Sequence, residues 1–182
     1  MCTGTDDRDA SHSKLKSLMF ITFFTMLMRE YIIDTFLFND YANKNMLKKI
    51  NGLPEKNDCV KFFSHIINSQ NKWMARILRD FQAPQMSWWD PVYSFEQLEE
   101  KWNESLTTWI NFLQNKTEEE IFREVEFTGY DGGKWKTRLA DIALQLNYHS
   151  IHHRAQMQMK IREQGIDPDF IDYIGTKYQK IS

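Results

Sequence analysis

Between Thr137 and Gly165 the apolar side chains fall at Leu139, Ile142, Leu146, Met157 and Ile161, three, four and eleven residues apart. That spacing puts them on one stripe of an α-helix about seven turns long. The gap in the stripe is filled by His149 and His153, four residues apart and so one turn above the other on the same face. Gly165 reads as a left-handed C-cap, Ile166 can fold back onto Ile161, and Asp167-Pro168 stops the helix from continuing. A helix of that length with one apolar face must bury it against other helices or a sheet.

Three more segments carry the same period. Tyr31, Thr35, Phe38, Ala42, Met46 and Ile50 mark a first helix, ended by Asn51-Gly52-Leu53-Pro54. A second is expected from an N-cap at Asn57 or Asp58 to about Phe81, with Phe62, Ile66, Ser69, Trp73 and Ile77 inward and His65 on or beside that stripe. Ser94-Phe95-Glu96-Gln97 is a capping box for a third, with Tyr93 stapling onto Leu98 and a stripe of Phe95, Leu98, Trp102, Leu106, Trp109 and Leu113. Thr117-Glu118-Glu119-Glu120 is a second capping box opening one short turn. Val125 and Phe127 then alternate with Glu124, Glu126 and Thr128 before Asp131-Gly132-Gly133 turns the chain towards Trp135, a small β-hairpin. The expected fold is all-α, a four-helix bundle with long crossover connections and this hairpin before the last long helix. Only 7 glycines and 4 prolines in 182 residues tell against an all-β architecture.

A net charge of -2 gives no reason to expect nucleic acid, which calls for a clustered basic face. The two cysteines, Cys2 and Cys59, are too few for a disulfide framework, so the body of the protein is read as cytoplasmic. Leu18 to Met28 is almost wholly apolar but shorter than the about 20 residues that span a bilayer. The acidic leader and the missing cleavage site fit a signal peptide poorly. Residues 1–27 are therefore expected to be an apolar extension of the first helix packed on the bundle or a partner, with an over-extended start before Met28 or a membrane anchor as alternatives. Residues 28–182 form the bundle domain.

Catalytic zinc commonly takes three protein ligands and keeps a fourth position for water or substrate. His149 and His153 supply two imidazoles. Among the remaining histidines, His12 lies in the polar leader and His152 points about 100° away from His153 around the helix. That leaves His65 as the candidate third ligand. On spacing alone, hydrogen-bonded polar packing in the core explains these histidines about as well as a metal.

The run His149-Ser150-Ile151-His152-His153-Arg154-Ala155-Gln156, with Ile161-Arg162-Glu163-Gln164-Gly165 after it, resembles the signature of the DinB/YfiT-like superfamily of damage-inducible, metalloenzyme-like bundles. Phe63-Ser64-His65-Ile66 with Trp73 resembles its second-helix histidine segment, and Tyr41-Ala42-Asn43 with Leu53-Pro54 the end of its first helix. The likeness covers about Met28 to Tyr173. It implies a bundle, often a homodimer, that binds a divalent metal through His65, His149 and His153, while His152 occupies a variable position. Zinc is the expected ion, and nickel, iron and copper suit three imidazoles as well. The better-understood members use low-molecular-weight thiols, which implies a metal-dependent thiol S-transferase-like enzyme acting on a small-molecule substrate. A non-enzymatic stress-associated dimer with a structural or sensory metal, and a metal-dependent hydrolase, are the alternatives. Around the metal, Gln156 could orient a ligand histidine or bond across the bundle. Trp88 and Trp89 could wall a pocket or simply pack a loop. Arg154 could meet an anion, although an inter-helix ion pair is the expected role. Cys59 reads as a buried thiol, and Glu99, Glu100 and Glu118 to Glu120 as solvated or helix-start charges.

Overall fold

The computed structural model describes residues 26–181. Most of the apolar leader, together with Cys2 and His12, lies outside the described residues. Among those described, no helix is long and apolar enough to cross a membrane.

Four long helices form the body: α1 (Met28–Asn51), α2 (Asn57–Ile77), α3 (Phe95–Gln114) and, after a short α4 (Glu118–Ile121) and the strands β1 (Glu124–Thr128) and β2 (Lys134–Arg138), α5 (Leu139–Glu163). Their directions follow from which residues meet. Asn39 and Asn43 bond to Asn147 and Ser150, so α1 and α5 run parallel. Phe36 stacks on Trp109 while Asp40 reaches Trp102, so α3 runs against α1. Cys59 faces Met157 and His65 faces His149, so α2 runs against α5. Up, down, down, up is the result. Two successive helices in the same direction require a connection that climbs the length of the bundle, and residues 78–94 supply it.

The core is a single cluster drawn from all four long helices, with Trp102, Trp109, Phe36 and Phe63 among its largest fully buried side chains. Both buried indoles keep a hydrogen bond: Trp102 Nε1 donates to Asp40 Oδ1 at 2.9 Å and Trp109 Nε1 to the Gln70 carbonyl at 3.1 Å. An unpaired indole N–H would forfeit much of the gain from burying the ring.

The capping boxes at Ser94 and Thr117 both form. The hairpin pairs Glu124 with Arg138 and Phe127 with Trp135. Gly165 takes φ 74° and completes the expected end of α5, its N–H donating to the Arg162 carbonyl and that of Ile166 to the Ile161 carbonyl.

Several local expectations are corrected. In α1, Ile32 and Phe36 are fully buried while Tyr31 is exposed, because the helix turns its stripe towards both α3 and α5. The N-cap of α2 is Lys56, and the helix ends at Ile77 instead of near Phe81. Arg79 adopts φ 56° there, and the Asp80 N–H folds back onto the Ala75 carbonyl. Thr137 belongs to β2, where it pairs with Val125, so α5 starts at Leu139. Glu118 is more than a helix-start charge, since its carboxylate accepts the backbone N–H groups of Met28 and Arg29 at 3.2 and 2.9 Å. Those donors have no intrahelical partner, and a carboxylate there also meets the positive end of the helix dipole.

Candidate metal centre

Four polar side chains on α2 organise the site. The climbing connection between α2 and α3 carries backbone groups past a helix face, and each needs a partner. Lys72 Nζ donates to the Met86 carbonyl. Asn68 Nδ2 donates to the Pro91 carbonyl at 3.0 Å, and Ser64 Oγ accepts the Tyr93 N–H at 3.1 Å. His65 Nδ1 lies 2.7 Å from the Trp88 carbonyl, which can only accept, so Nδ1 carries the proton. The loop is thereby laid along α2 and over His65, with Trp89 stacked on the imidazole at 3.8 Å between ring centres and 12° between planes.

On α5, His153 is turned in the same way. Its Nδ1 lies 2.6 Å from Gln156 Oε1, a pairing within one helix turn, not across the bundle. The amide oxygen accepts, so His153 also keeps its proton on Nδ1. Both Nε2 lone pairs are left facing the same point, as ligand histidines held by outer hydrogen bonds do. His149 Nε2 sits 3.1 Å from His65 Nε2 and 3.0 Å from His153 Nε2. Three nitrogens about 2.0–2.1 Å from a tetrahedral zinc would be separated by about 3.3 Å, so the donor set fits such an ion. His65, His149 and His153 are the group of potential ligands found among the described residues. His65 and His153 are buried and His149 is half-exposed, so the cluster has one open side.

Burial penalises a positive charge on all three rings. It lowers His65 below the usual histidine value, with the Trp88 carbonyl working against the shift. Burial and the neighbouring imidazoles of His153 and His65 bring His149 down to about 4. His153 also falls to about 4 through burial, opposed by its bond to Gln156. Neutral imidazoles are what a metal requires. In the metal-free protein the sign is definite. An unfolded histidine takes up its proton near pH 6.5, whereas these folded ones resist until about pH 4. The unfolded state therefore binds more protons in that window, and stability falls as the pH drops through it. Melting curves of chelator-treated protein should show a lower Tm at pH 5 than at pH 7.5, and an unchanged or higher Tm would contradict the burial of these rings.

The other sequence candidates divide. Trp89 walls the cluster, and Phe62 stacks on the outer side of His153 at 5.7 Å. Trp88 contributes its carbonyl, but its ring packs on Trp73 instead of facing the histidines. Arg154 is corrected outright. Among the described residues it forms no inter-helix ion pair; its Nη1 donates to Asn39, Asn43 and Ser150 between α1 and α5, away from the histidine cluster. At position 154 the side chain projects about 100° from His153, towards α1. Cys59 is buried and its thiol is pushed up to about 11, mainly by burial, which makes it a poor nucleophile. His152 is exposed and outside the cluster.

Ser64, Asn68 and Lys72 were legible only in part. Polar residues at i, i+4 and i+8 beside an inward His form a ridge of their own. Solvent exposure is the ordinary reading of such a ridge, and only the returning loop converts it into a buried clamp.

Comparison with curated proteins and with solved structures gives no match. A family model described as the DinB family matches residues 59–181, a span that contains all three clustered histidines and most of the bundle. The chain belongs to the DinB family.

Proposed function

We propose that this protein is a metal-dependent, thiol S-transferase-like enzyme in which His65, His149 and His153 hold a divalent ion, zinc by preference, and a low-molecular-weight thiol is activated beside an electrophile. The observation that carries this reading is the convergence of three Nε2 atoms whose opposite ring nitrogens on His65 and His153 are already engaged. When bound, the ion supplies the Lewis acidity that lowers the pKa of a water or thiol at its open position.

The protein's own residues define what reaches that position. Trp89 and Phe62 give the cluster an apolar rim, suited to the carbon skeleton of an electrophile and to excluding water. Trp89 is 40 % exposed, so the rim lies at the surface and a substrate needs no deep channel. No carboxylate joins the histidine group among the described residues. A dedicated hydrolase needs a general base near the attacking water; a thiol that is already deprotonated does not. The absence of a carboxylate favours transfer over hydrolysis.

Cobalt substitution tests the reading. The visible spectrum of the cobalt protein should change on addition of the thiol that the enzyme uses, because sulfur replaces an oxygen ligand. If every common cellular thiol leaves the spectrum unchanged while metal removal lowers Tm, the metal is structural and the transferase reading is overturned.

A further inference from the structure

Trp88 faces two ways. Its carbonyl holds His65, and its ring lies against the Arg76 guanidinium, whose carbon is 4.9 Å from the ring centre. Trp73 and Phe127 also pack on that guanidinium, at 4.8 and 5.2 Å. Rings satisfy the face of a planar cation and leave the N–H groups along its edge without acceptors. No carboxylate among the described residues lies within the 4.0 Å of an ion pair with Arg76. Its burial is the cause of a lowered pKa, with no neighbouring acid acting against the shift.

Arg76 lines a cavity of about 340 Å³ together with Arg79, Lys134, Phe127, Asp80 and Glu126. Arg79 is the positive-φ residue that closes α2, at φ 56°. Its N–H donates to the Arg76 carbonyl at 3.1 Å and that of Asp80 to the Ala75 carbonyl at 2.9 Å. This is the helix-ending geometry in which glycine or asparagine is the usual occupant, and an arginine there is strained. What the arginine adds is a second guanidinium on the cavity wall. Strained residues of this kind are concentrated at binding sites.

We propose that this cavity is a binding site for a small zwitterion of the amino-acid type, with its carboxylates on Arg76, Arg79 and Lys134 and its ammonium group on Asp80 and Glu126. A guanidinium edge pairs with a carboxylate in two parallel hydrogen bonds. Three cations against two carboxylates match a ligand with two carboxylates and one ammonium group. A phosphate dianion has no ammonium group to set against Asp80 and Glu126, which line the same cavity and would repel it. The site is distinct from the histidine cluster and does not rest on the transferase reading.

Calorimetric titration of the full-length, as-purified protein with L-glutamate tests it. Wild type should bind L-glutamate with a Kd of the order of millimolar, and Arg76→Gln and Arg79→Gly should each weaken binding by about tenfold or more. Glycine relieves the strained conformation, so Arg79→Gly should melt no lower than wild type while losing the ligand. That variant decides the matter even if Arg76→Gln folds poorly. The proposal is overturned if glutamate does not bind wild type, if binding is unchanged in Arg79→Gly, or if inorganic phosphate binds more tightly than glutamate.

Discussion

Alanine at His65 should leave the purified protein nearly free of metal, with less than about a tenth of the wild-type content per chain, because two imidazoles on one helix turn cannot close a three-ligand site. His153→Ala should behave alike. Elemental analysis of protein prepared without added metal or a metal-binding tag makes the measurement. Equal metal in wild type and both variants would refute the assignment of the centre. Gln156→Leu separates ligation from orientation. All three imidazoles remain, but the bond from His153 Nδ1 to Gln156 Oε1 is lost, and with it the hold on the tautomer that aims Nε2 at the ion. Affinity should fall about 10–100-fold, the usual consequence of removing the partner of a ligand histidine. The hydrogen bond from His65 to the Trp88 carbonyl has the same role but cannot be deleted by changing a side chain. Its contribution is tied to the loop, and thus to Ser64, Asn68 and Lys72.

The second large effect concerns the residue next to His153, whose side chain turns away from the histidine cluster towards α1. Arg154 is 6 % exposed and lies between α1 and α5 without a carboxylate partner among the described residues. Burial brings its pKa down to about 10, so it is still charged at neutral pH. The charge is held by neutral dipoles. Asn43 Oδ1 and Ser150 Oγ each accept from Nη1 at 2.9 Å, Asn39 Oδ1 accepts from it too, and the guanidinium sits 5.7 Å from the Phe38 ring centre. Around it, Asn147 Nδ2 donates to Thr35 Oγ1 at 2.8 Å and to the Ala143 carbonyl at 3.2 Å. Two effects compete. Deleting the guanidinium removes the cost of desolvating a charge, which favours the variant. It also strands several buried acceptors and, in alanine, leaves a void. Each stranded acceptor costs about 1–3 kcal/mol, and more than one is at stake, so the second effect should win. Arg154→Ala should lose about 3 kcal/mol and lower Tm by roughly 6–12 °C. Arg154→Met keeps the apolar volume and deletes only the donors. Thermal denaturation showing Arg154→Met as stable as wild type would mean that charge burial outweighs the network, contrary to this account.

Arg154 also shows where sequence reasoning failed. Its helix position was readable, and an arginine beside an inward histidine invites an ion pair. Which helix lies opposite, and that it turns Asn39 and Asn43 towards Arg154 while its Asp40 faces Trp102 on α3, depends on α1 and α5 being parallel neighbours. The end of α2 failed for a related reason. Periodicity continues through Phe81, yet the chain must leave the helix early to return along it, and Arg79 takes a left-handed conformation that composition does not favour. The capping box in the sequence puts Glu118 at the start of its own short helix, where the structure has it. Its bonds to the first N–H groups of α1 join positions about ninety residues apart, which no local pattern encodes.

By itself the sequence determined the four long helices, both capping boxes, the hairpin and the glycine stop after α5. These depend on neighbours within about one helical turn or one strand pair, where backbone geometry leaves few options. It also determined the candidate trio, since His149 and His153 share a face by spacing and His65 lies beside an inward stripe. Tertiary structure alone decided that the three rings meet, which nitrogen each turns inward, and that Trp89 covers them while Trp88 turns its ring away to Arg76. Those outcomes rest on a loop whose carbonyls had to find donors on a helix folded against it. Hydrogen-bond satisfaction where a loop lies over a helix face is a property of the whole packing and cannot be read from one segment.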